Sequence, residues 1–91
     1  MEKDVLNLIG GQHLPAQSGE WLDNVEPATG KAYGRIPRSG AEDVEAAVHA
    51  AREAFKTWRS CSIHDRRAVM MKLADKVAEN APLLAEAEAR D

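Results

Sequence analysis

The chain has 91 residues, 44% of them hydrophobic and 30% charged, with a net charge of −3. That is enough for one small domain of ordinary soluble composition; without clustered Lys and Arg it gives no electrostatic case for nucleic acid or an anionic membrane. Its apolar runs are too short for a transmembrane span, a single cysteine, Cys61, excludes an intrachain disulfide, and an apolar content rich in alanine promises only a thin core.

From the N-terminus, MEKDVLNLIGG carries no apolar leader core, so the expected location is cytoplasmic. Val5 to Ile9 is a β-prone run. Gly10-Gly11 reads as a two-residue hairpin turn, because both positions tolerate positive φ, and Gln12 to Pro15 is the return strand. Ser18-Gly19-Glu20 turns into a strand from Trp21 to Glu26. Pro27-Ala28-Thr29-Gly30 is a tight turn, Pro with its fixed φ at the front and Gly at the end. Lys31 to Ile36 returns, and Pro37-Arg38 closes the unit. Residues 1–38 thus read as a small antiparallel β-hairpin element.

The pattern then changes period. Ser39 with Glu42 three residues on has the form of a capping box. Val44, Ala47, Val48, Ala51, Phe55 and Trp58 follow at spacings of three and four, the apolar stripe of an amphipathic helix. Arg59 to Ser62 is a loop, and Ser62 with Asp65 repeats the capping pattern. A second helix is expected over Ile63 to Glu79, with Val69, Met70, Leu73, Ala74 and Val77 as its stripe. Asn80 and Pro82 end it and open a third helix over Leu83 to Arg90, since Pro is tolerated only in a first turn. Residues 39–91 thus read as two to three amphipathic helices. Their stripes need a surface to lie on, and the hairpins cover them poorly. The expected cover is a sheet that these residues do not contain.

Chemistry is sparse. Cys61 lies in a polar loop before a helix N-terminus, beside Arg59, the kind of setting in which reactive cysteines occur. A nucleophile also needs a base and an oxyanion site, and only His64 is near in sequence. His13, His49 and His64 have no zinc-site spacing. Gly10-Gly11 is a turn and not a spaced dinucleotide loop, and Arg66-Arg67 is too small for a nucleic-acid surface. Glu42, Asp43, Glu45, Asp75, Glu79, Glu86 and Glu88 read as solvated helix faces. No catalytic and no cofactor-binding residue is assigned. The apolar stripes also suit a small stand-alone helical-hairpin interaction protein that docks through Val44–Trp58 and Val69–Val77.

The order of these pieces resembles the N-terminal portion of the aldehyde dehydrogenase superfamily. The matching residues are Ile9-Gly10-Gly11, Pro27-Ala28-Thr29-Gly30, Asp43-Val44, Ala47-Val48, Ala50-Ala51, Ala54-Phe55, Trp58, Arg66 or Arg67, Leu73 and Ala74-Asp75, and the likeness covers nearly the whole chain. It implies an α/β fold, with residues 1–38 as the N-terminal β-hairpin element and 39–91 as the first helices of an incomplete NAD(P)-binding domain. It also implies oxidation of an aldehyde to a carboxylic acid with NAD or NADP, by a cysteine nucleophile and a glutamate base. Neither Cys61 nor any carboxylate here matches those positions, so the expectation is an N-terminal fragment, inactive by itself, of a homodimer or homotetramer. Several members bind a structural monovalent cation partly through main-chain carbonyls before the Asn-Pro turn; those positions correspond to Asn24 and Val25, with Glu26 where the family has Asn. Tyr33, Arg35, Pro37 and Ser39-Gly40 look similar to members acting on aminomuconate-type semialdehydes, with betaine-aldehyde-type members close.

Overall fold

Gly10 and Gly11 both take positive φ, 59° and 78°, so the two-residue turn forms where the glycines predict it. The computed structural model describes residues 3–91. In chain order the elements are β1 (Lys3–Asp4), β2 (Asn7–Ile9), β3 (Gln12–Leu14), β4 (Trp21–Glu26), β5 (Lys31–Pro37), α1 (Ala41–Trp58), α2 (Ile63–Glu79) and α3 (Ala81–Arg90).

The N-terminal part is not one antiparallel element. Among the described residues, β2 and β3 form a separate hairpin, and β1, β5 and β4 form a three-stranded sheet in that order. Strands β4 and β5 are antiparallel, as expected, whereas β1 runs parallel to β5 with Lys3 opposite Gly34 and Asp4 opposite Arg35. The run from Val5 to Ile9 is therefore not a single strand. Val5 still donates its amide to the Arg35 carbonyl at 2.9 Å, and pairing with the hairpin starts at Asn7. Parallel pairing has no tight-turn signature, since its partner comes from a distant crossover. Here it depends on Gly34. A Cβ at that position would lie 2.6 Å from the Lys3 carbonyl carbon and closer still to its oxygen, so only a residue without a side chain lets β1 approach.

The Pro27–Gly30 turn closes through Glu26, whose carbonyl accepts from the Gly30 amide at 2.8 Å. Beyond it the β4–β5 register shifts between Asn24 and Val25: Val25 faces Ala32, but Asn24 faces Gly34. One extra residue, Tyr33, is taken up on β5, which turns its side chain relative to an uninterrupted ladder.

Helix α1 starts differently from the expected Ser39–Glu42 box. Its N-cap is Gly40, and Asp43, three residues on, accepts from the Gly40 amide at 2.9 Å. The other Asp43 oxygen accepts from the Gln17 amide at 3.0 Å, which ties the turn after β3 to the helix start. Ser39 instead accepts from Asn7 Nδ2 at 2.7 Å. A carboxylate among the first free amides of a helix also meets the positive end of its dipole, which favours Asp43 over the longer, solvated Glu42. Helix α2 is capped as expected, Ser62 Oγ accepting from the Asp65 amide at 3.0 Å. Helix α3 begins at Ala81, earlier than Leu83, because Pro82 falls in its first turn, where a missing N–H costs nothing.

Among the described residues only Ala16, Gly34 and Asp43 are buried. The chain exposes 7318 Å², against about 5,200 Å² for a compact monomer of this mass. Its radius of gyration is 16.5 Å, against about 12 Å for a compact domain of this length. Its extents are 47 × 34 × 15 Å, so the molecule is a plate little thicker than one helix with its side chains. Phe55, Met70 and Leu73 are all more than half exposed, so the helical stripes have no cover, as the sequence implies. No helix of the described residues is long and apolar enough to cross a membrane.

Candidate functional site

Next to the bulge in β5 a polar cluster gathers around Asn24, the first of the two expected cation positions. Asn24, on β4, donates from Nδ2 to the Tyr33 hydroxyl at 3.0 Å and to Asp91 Oδ1 at 3.0 Å. The Tyr33 hydroxyl itself donates to Asp91 Oδ1. The Arg90 guanidinium stacks on the Tyr33 ring, 4.9 Å from its centroid, and its Nε lies 3.6 Å from Glu26 Oε1. Sheet and helix thus converge: β4 brings Asn24 and Glu26, β5 brings Tyr33, and the end of α3 brings Arg90 and Asp91. A cavity of about 150 Å³ opens beside them, with Lys3, Val5, Leu83 and Glu86 on its wall.

The electrostatics follow from these contacts. The Tyr33 hydroxyl, then the Asn24 amide, stabilise the Asp91 anion and hold its carboxyl below the ordinary 3.8. Asp91 in turn holds the Tyr33 phenol above its ordinary 10.0, because the neutral O–H is the form that can donate. Val25, the second expected position, sits next to the register shift with its side chain about half exposed. The structure brings Asn24 together with Tyr33 and Asp91, neither of which the sequence singles out for a cation. No local pattern marks them: Tyr33 reaches the cluster through the bulge, and Asp91 through the direction of α3.

A second charged group lies on the same sheet. Arg35 clasps Asp4 through two hydrogen bonds, Nη2 to Oδ2 at 2.7 Å and Nε to Oδ1 at 3.2 Å. Its guanidinium also stacks on Trp21, 4.4 Å from the ring centroid. Arg35 lowers the Asp4 carboxyl from its ordinary value and is itself raised, in each case through their shared hydrogen bonds first. This clasp holds β1 against β5 and contains no reacting group.

The remaining candidates stay apart. The Cys61 thiol, in the loop after α1, lies 3.5 Å from the Thr57 carbonyl in the last turn of that helix. His13 lies on β3, His49 on α1 and His64 on α2. Among the described residues no three His, Cys, Asp or Glu side chains are grouped to hold a metal ion. A dinucleotide does not fit these residues either. The positive-φ glycines sit in three separate turns, Gly10 with Gly11 in one, Gly19 in the second and Gly30 in the third. The N-terminus of α1, which a phosphate would use, is filled by Asp43.

Comparison with known proteins gives this scaffold its class. The model of the aldehyde dehydrogenase family matches residues 13–91, and the chain belongs to that family. It is 46% identical over 85 residues to the 2-aminomuconic semialdehyde dehydrogenase of Mus musculus, a match that covers 93% of this chain and 17% of that protein. It is 44% identical, over the same shares, to a long-chain-aldehyde dehydrogenase of Acinetobacter. Among solved structures, the NAD-dependent aldehyde dehydrogenase from Sinorhizobium meliloti superposes with a TM-score of 0.92 at 33% identity, over 99% of this chain and 18% of that one. The fold is therefore α/β of the aldehyde dehydrogenase type. The chain spans about 17% of the length of the relatives it matches.

Proposed function

We propose that these residues are the N-terminal segment of an NAD- or NADP-dependent aldehyde dehydrogenase that oxidises an aldehyde or semialdehyde to a carboxylic acid. The observation that carries this reading is the uncovered helical face of a chain that superposes on 18% of a larger NAD-dependent enzyme. Residues 1–38 form its N-terminal β element, and 39–91 the first helices of its cofactor-binding domain. The nucleophile, base and nicotinamide site belong to the sequence outside these residues. The cofactor, when bound there, takes up the hydride. The role of this segment is to supply helices that pack on the cofactor-binding sheet. No observation favours a stand-alone helical-hairpin interaction protein.

The finer reading follows the same support. A semialdehyde substrate is favoured by the likeness to the Mus musculus enzyme. The single thiol suits a reducing, cytoplasmic location, and a homodimer or homotetramer is the assembly the resemblance implies. A structural monovalent cation is proposed at the main-chain carbonyls of Asn24 and Val25.

The test is to express the complete reading frame that contains these residues and follow NADH or NADPH formation with aldehydes and semialdehydes. Aldehyde-dependent reduction, with a thermal midpoint that falls when potassium and sodium are replaced by choline, is the expected result. A reading frame without a downstream cysteine nucleophile, or a purified protein inert toward every aldehyde, would sink the proposal. An unmoved midpoint would remove the cation alone.

A further inference from the structure

We draw no further inference here: the strongest candidate, the exposed apolar surface patch that α1 and α2 present from Val44 through Phe55 to Val77, is an unpartnered face, and nothing in the structure shows what covers it.

Discussion

Take residues 1–91 alone, with nothing laid on the helical face. The chain exposes 7318 Å², which is about 2,100 Å² more than a compact monomer of its mass. Of protein surface, about 55–60% is apolar, so about 1,200 Å² of the excess is apolar. At about 25 cal/mol per Å² the uncovered area withholds about 30 kcal/mol, an upper figure because unfolded chains already bury part of their surface. Even a third of that is comparable to the whole net stability of a domain, about 5–15 kcal/mol. The isolated chain should therefore lack a cooperative transition. Circular dichroism would show partial helix that fades gradually on heating, and a hydrophobic dye would bind at low temperature. A sharp melt from a species that sedimentation shows to be monomeric would refute the reasoning, because the exposed face would then cost the fold nothing.

Three further outcomes are expected in the complete protein. Gly34→Ala puts a methyl on the Lys3 carbonyl; β1 should leave β5 at a cost of about 1–3 kcal/mol, and a Val5 amide still protected from hydrogen exchange would contradict this. Asp43→Ala strips the acceptor from Gly40 and from the part-buried Gln17 amide. Loss of the cap costs about 1 kcal/mol and the orphaned amide about 1–3 kcal/mol; thermal midpoint and exchange at Gln17 should show it, with Asp43→Asn falling between. The Asp91 carboxylate, lowered from 3.8, contributes stability that is complete above that value and is lost as pH falls through its own lower one. Tyr33, raised from 10.0, contributes stability that is complete below that value and is lost as pH rises through its own higher one. Tyr33→Phe removes the larger cause, so the Asp91 titration followed by carboxyl-carbon NMR should move up toward 3.8; an unchanged curve would show that the Tyr33 hydrogen bond does not hold the anion.

The helices were legible in the sequence because their signals are local. A 3.6-residue apolar period, Ser62 with Asp65 and Pro82 in a first turn are each written within a few residues, and so are the Gly10-Gly11 and Pro27–Gly30 turns. The uncovered face was legible too, since Val44, Phe55 and Leu73 declare a stripe whether or not anything lies on it. The sequence by itself also determined the class, through an ordered set of motifs that no single piece carries. Tertiary structure decided the rest. The split of the Val5–Ile9 run depends on Gly34, thirty-one positions from the Lys3 it admits. The α1 cap went to Asp43 because the Gln17 amide, brought up by the hairpin, offers a second donor that Glu42 cannot share. The cluster at Asn24 needs a bulge on β5 and the end of α3 at once. These are contacts between residues far apart in the chain, and their energy depends on distance in space, which no spacing along the sequence encodes.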